Sequence, residues 1–191
     1  LLVLALLAAC GPAPANQSEA AILGFGSTSP QDAASSFFEN LNEALNDVSL
    51  DQAERRRYWA DRLASSFAPA ERSNQRILLG DMLTRFSQTA EQRLADIAAN
   101  AGRPTSEYKL TLEVESGGIE LVSQRENRAS VRLTEGVLRL RVVQRTATQG
   151  EIVVLNSERP LAEALGLNDG LLPAVRISGL WFMSSTGEGQ G

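Results

Sequence analysis

The sequence has no histidine, one cysteine and one lysine in 191 residues. Each scarcity removes chemistry. Without imidazole there can be no Ser-His-Asp triad, no Cys-His pair and none of the usual histidine-bearing zinc sites. With Cys10 alone, no disulfide can form within the chain, so stability has to come from a core, and a chain of this length can bury about 70% of its unfolded surface. Long basic runs are missing too. The formal net charge is -5, and Arg55-Arg56-Arg57 is the only basic cluster, so nucleic acid is not an expected partner. Those arginines lie in a helical pattern near Asp51, Glu54 and Asp61 and predict a solvated, salt-bridged helix face. What remains is ordinary globular composition, 43% apolar and 21% charged, enough for one domain or at most two small ones.

The first nine residues are all Leu, Val or Ala and run into Cys10, followed by Gly11-Pro12-Ala13-Pro14. A bilayer crossing needs about 20 residues, so this run suits the end of a signal-peptide apolar region instead. No later segment approaches that length, and no further crossing is expected. Leu7-Ala8-Ala9-Cys10 resembles the lipobox of bacterial lipoproteins. The resemblance implies cleavage before Cys10, diacylglycerol on its thiol and acylation of the new amine. It thereby implies a lipid anchor in the cell membrane or envelope, on the exported side. Acyl chains contribute about 0.8 kcal/mol per buried methylene, so two or three hold firmly. No Met and no basic residue precedes the run, and the start of the signal is expected upstream. The domain reading is a signal remnant over 1–9, a flexible tether over 10–28, one domain over 29–184 and a disordered tail over 185–191.

Ser29-Pro30-Gln31-Asp32 predicts a helix start, with Phe37, Phe38, Leu41 and Leu45 among the residues of its apolar stripe. Asp51 with Glu54 predicts a capping box for a second helix through Trp59, Leu63 and Phe67. A third pattern, about 70–99, is long enough to predict a bend or two consecutive helices near Ser87-Gln88-Thr89. After residue 106 the period falls to two. Strands are predicted around Tyr108–Val114, Ile119–Gln124, Ala129–Leu133, Leu138–Val142, Glu151–Leu155 and Ala174–Met183, the last central or most covered. The fold class is α+β, with N-terminal helices packed on a curved antiparallel sheet.

This order, the Ser-Pro-x-x-Ala-Ala-x-x-Phe-Phe helix from Ser29 to Phe38 and the closing Gly179-Leu180-Trp181-Phe182 strand together resemble the NTF2-like superfamily, in particular its small bacterial lipoproteins. The resemblance implies a cone whose sheet wraps a cavity. Phe37, Phe38, Trp59, Phe67, Phe86, Tyr108, Trp181 and Phe182 are then pocket or core, and their helical and strand spacing favours core. No catalytic residue, metal ligand or cofactor is assigned. Tyr58, Asp61, Asp81 and Tyr108 are the groups that a histidine-independent enzyme would use. The expected role is a non-catalytic accessory or scaffold domain with a protein partner in the envelope. The alternative is a module that holds an apolar small molecule or lipid in the cone.

Overall fold

Ser29 and Pro30 open the first helix, α1, Pro30–Leu45. The Ser29 hydroxyl accepts the Asp32 N–H at 3.0 Å and proline occupies the first turn, where its missing N–H is harmless. The computed structural model describes residues 26–146 and 150–185. The expected lipid anchor at Cys10, residues 10–25 of the tether expected over 10–28 and residues 186–191 of the tail expected over 185–191 lie outside the described residues.

Helix α2 spans Ala53–Ala64 and α3 spans Arg72–Ala101. Two expectations are corrected here. The Asp51 capping box does not form: Gln52 is the N-cap, no side chain closes it, and Asp51 offers its carbonyl to Arg56 instead. The region is one helix rather than two consecutive ones, because Ser87-Gln88-Thr89 is polar without being a helix breaker. Ser87 is buried and its hydroxyl donates to Glu91, one turn on, at 3.3 Å.

Seven strands follow: β1 Tyr108–Glu115, β2 Ile119–Arg125, β3 Arg128–Leu133, β4 Val137–Thr146, β5 Gly150–Pro160, β6 Leu171–Ile177 and β7 Leu180–Met183. A one-turn helix, α4 at Leu161–Ala164, separates β5 from β6. Every strand pairing is antiparallel, in a three-stranded sheet ordered β1-β4-β5 and a four-stranded sheet ordered β2-β3-β6-β7. The protein is α+β, helices first and antiparallel sheets after.

The two sheets are halves of one folded ribbon. The register that pairs Glu115 with Val137 continues unbroken to pair Ile119 with Leu133. Hence β1 with β2, and β4 with β3, are two long strands that bend together. The next strand bends on the same line: β5 ends with Pro160 opposite Val137, and β6 resumes with Leu171 opposite Arg132, α4 filling the gap. Backbone groups at the crease are paired although the crease is largely exposed. The Gly118 carbonyl accepts both the N–H and the hydroxyl of Thr134, at 2.9 and 3.1 Å, and the Gly136 carbonyl accepts the Leu161 N–H at 2.9 Å. Gly117 has φ +47°, and a Cβ there would run into the backbone of Glu135, so the crease requires glycine.

Helix α1 lies in the crook of the fold. Its Phe37, Phe38 and Leu41 share one buried cluster with Val114 from the three-stranded half and with Val131, Leu133 and Leu172 from the four-stranded half. Its last turn also seals an open edge. The Val114 N–H donates to Asn42 Oδ1 at 2.8 Å, the Leu112 N–H donates to Asn46 Oδ1 at 3.3 Å, and the Asn46 amide donates back to the Leu112 carbonyl. Two asparagines one turn apart thus stand where a further strand would pair with β1.

The segment Ala174–Met183, expected as one strand, is the hairpin β6–β7. Ser178 and Gly179 both have positive φ, as the favoured two-residue turns demand. Strand β7 is therefore an edge in strand order and not central. It is nonetheless covered: Trp181, Phe182 and Met183 are buried, and flanking backbone pairs with it, the Ser27 N–H donating to the Trp181 carbonyl at 2.9 Å and the Ala68 N–H to the Met183 carbonyl at 3.0 Å.

If the crease depends on Gly117, then Gly117→Ala is expected to destabilise the fold by about 1–3 kcal/mol through left-handed strain and the clash with Glu135. Urea melts of the two proteins measure it, and superimposable curves would remove Gly117 from that role.

Candidate functional site

Of the eight aromatic residues assigned to pocket or core, all but Phe86 are buried. Phe37, Phe38, Trp59 and Phe67 belong to the main cluster, where Phe37 meets Phe67 edge to face at 5.6 Å. Trp181 packs with Ala33, Ala129 and Ala174, and Tyr108 lies with Ala98 and Val142 under the end of α3. Phe182 is buried on the opposite face of β7, with the Arg72 guanidinium 5.6 Å from its ring centre. The eight residues do not converge on one cavity.

The polar candidates are dispersed as well. Tyr58, Asp61 and Asp81 are exposed on α2 and α3; the Tyr58 hydroxyl accepts from Arg62 at 3.3 Å, and Asp61 stands 3.6 Å from Arg76. Among the described residues, no carboxyl hydrogen-bonds either tyrosine hydroxyl, and no group of three side chains is placed to hold a metal. Also among the described residues, no helix is long and apolar enough to cross a membrane.

The most tightly held polar group is Asp47, just after α1. Its carboxylate accepts the Trp59 indole N–H at 2.7 Å, the Arg55 Nε at 2.8 Å and the Ser49 N–H at 2.8 Å. Burial opposes its ionisation. The bonds from Trp59, Ser49 and Arg55 together outweigh burial and hold the carboxyl below its ordinary range. Of the three arginines read as one salt-bridged face, Arg55 pairs inward with Asp47, and Arg56 donates to the Leu50 and Asp51 carbonyls. Asp47 therefore pins α2 to the end of α1, a structural hub whose carboxylate is already engaged by three donors. Sequence reasoning passed it over because Asn46-Asp47 reads as an ordinary turn.

An open site lies where α3 crosses the three-stranded half. Toward the C-terminus of α3, Leu94, Ile97 and Ala98 pack on the sheet with Tyr108 and Val142; toward its N-terminus, Leu79 and Leu83 enter the core. Between them the helix carries small residues, Thr89 and Ala90, and a groove of about 300 Å³ remains. Leu110, Leu112, Leu138 and Leu140 form its floor, Phe86 and Ala90 its roof, and Thr89, Arg93, Ser157 and Arg159 its polar rim. No acid lines it. By contrast, the 480 Å³ cleft between α2 and α3 sets Arg56, Arg57 and Arg76 beside Asp61 and Asp81. Phe86 is the one nominated aromatic that borders the groove. Arg93 and Arg159 escaped the sequence reading, which had no signal that they share a site.

Trp181→Ala should lower stability by about 3–5 kcal/mol as a core truncation, whereas Phe86→Ala, at the groove, should cost under about 2 kcal/mol. Thermal melts compare them, and equal losses would make Phe86 core. Asp47→Ala should cost about 1–3 kcal/mol at pH 7 by stranding the Trp59 N–H. Because the folded carboxyl is depressed, its stabilisation exists above the unfolded value near pH 4 and is lost as pH falls through the folded one. The deficit of the variant should therefore shrink at pH 3, and a pH-independent deficit in urea melts would show that the carboxylate charge contributes nothing. Compared with protein-family models, curated proteins and solved structures, the chain matches none.

Proposed function

We propose that this chain is a lipoprotein anchored through Cys10 to a cell-envelope membrane on the exported side, and that its body is a non-catalytic accessory module for a protein partner, built as an NTF2-like cone. Support for the anchor rests on the Leu7-Ala8-Ala9-Cys10 run. Support for the cone comes from the order of elements and from a sheet folded around α1 along a single crease.

The observation that carries the partner reading is β5. The edges of β1 and β7 are sealed by asparagine side chains and by flanking backbone, while the outer edge of β5 makes no backbone hydrogen bond among the described residues. Ile152, Val153 and Val154 follow one another there at 38%, 44% and 41% exposure. Strand β2 is also an open edge. Both strands carry a bulge, which turns an edge away from casual pairing, but β5 is eleven residues long against seven. An apolar, unpaired edge of this length is a site for adding a partner strand. The interior offers a ligand no comparable surface, since Phe38, Leu41, Leu63 and Leu83 fill it.

Blue native electrophoresis of gently solubilised source membranes tests this reading. The wild-type chain should migrate in a larger assembly, Val153→Arg should migrate as the isolated chain with an unchanged melting temperature, and Cys10→Ser should leave the membrane fraction. A wild-type chain that migrates alone, or a Val153→Arg variant that stays in the assembly, would refute the partner reading.

A further inference from the structure

We propose that the groove between α3 and the three-stranded half binds a single-chain anionic amphiphile of the fatty-acid class. The carboxylate sits between Arg93 and Arg159, and the chain lies on the leucine floor. This inference does not depend on the partner reading above.

Register brings the parts together. Phe86, Ala90 and Arg93 are spaced four and three residues apart and so share one face of α3, which runs from apolar roof to charged rim. On the sheet, Ser157 pairs with Leu140 and Arg159 with Leu138, so the two polar residues of β5 lie beside the floor on the same face. At about 300 Å³ the groove stands at the lower limit of small-molecule sites, with room for one chain and not for a two-chain lipid.

Charge selects the head group. The whole chain is acidic at -5, so any preference for an anion has to arise locally. On the opposite face of β4, Arg139 is held by Glu113 at 2.9 Å and Glu158 at 2.7 Å, and Arg145 by Glu151 at 3.1 Å. Arg93 and Arg159 have no ion pair or hydrogen bond among the described residues, and no acid lines their groove. Two unmatched guanidinium forks at the mouth of an apolar slot suit a carboxylate, with the Thr89 and Ser157 hydroxyls as further donors.

The test is calorimetric titration of the full chain carrying Cys10→Ser, so that no anchor acyl group competes, with decanoate and decanol at low ionic strength. Decanoate should saturate one site and bind at least about tenfold more tightly than decanol, the ratio that one charge-assisted hydrogen bond supplies. Arg93 and Arg159 are exposed, so the double variant Arg93→Gln/Arg159→Gln should fold normally and bind both ligands equally. The double lysine variant should keep part of the preference, and Ala90→Phe should abolish both bindings by filling the groove. Absence of saturable decanoate binding, equal affinity for decanol in the wild type, or a preference that survives Arg93→Gln/Arg159→Gln would overturn the proposal. So would binding to phosphatidylglycerol vesicles that decanoate does not compete away, since the arginines would then be reading a membrane surface.

Discussion

Three neighbouring strands can bend along one line only if the backbone groups at the bend find partners, and the rest of this fold follows from how that is achieved. Gly118, Thr134, Gly136 and Leu161 exchange hydrogen bonds across the crease, so the ribbon folds without abandoning its register. The two halves then enclose α1, which touches both. Helix α3, 30 residues long, crosses the same face of the three-stranded half further along the strands. Because the bend is set by the sheet, the helix cannot follow it everywhere, and small residues at the crossing leave the groove open.

Edges are treated unequally. Side-chain amides close one, flanking backbone closes another, and among the described residues β5 and β2 stay bare. The closed edges adjoin the core, where an unpaired N–H or C=O would cost the most. The open ones lie away from it, so accessibility at β5 coincides with the part of the molecule whose loss of order disturbs the core least.

Much of this was legible in the residues. The switch of period at residue 106, the Ser29 cap and the alternation in β1, β3 and β4 placed helices before an antiparallel sheet, because those signals depend on neighbours in sequence. One turn was misjudged for the same reason. Ser178-Gly179 looks unremarkable inside an apolar run, and only the pairing of β7 with β6 makes it a hairpin. Gly117-Gly118 and Gly136 are plain in the sequence, but that they fall on one line is a property of register. The aromatic residues could be named but not distributed, since periodicity gives a face and not what the face meets. The groove was least legible of all: it combines four residues of α3 with side chains from β1, β4 and β5, and its two arginines are 66 positions apart in a chain where most basic residues are arginine.

The amide clasp between α1 and β1 joins residues separated by 66 to 72 positions. Such distant closure is slow, because the chain between the partners must be ordered before the contact repays it. Helix α1, although it precedes the strands in the chain, therefore has no finished surroundings until the strands that wrap it have been made. The order of synthesis and the order of consolidation run in opposite directions in this protein.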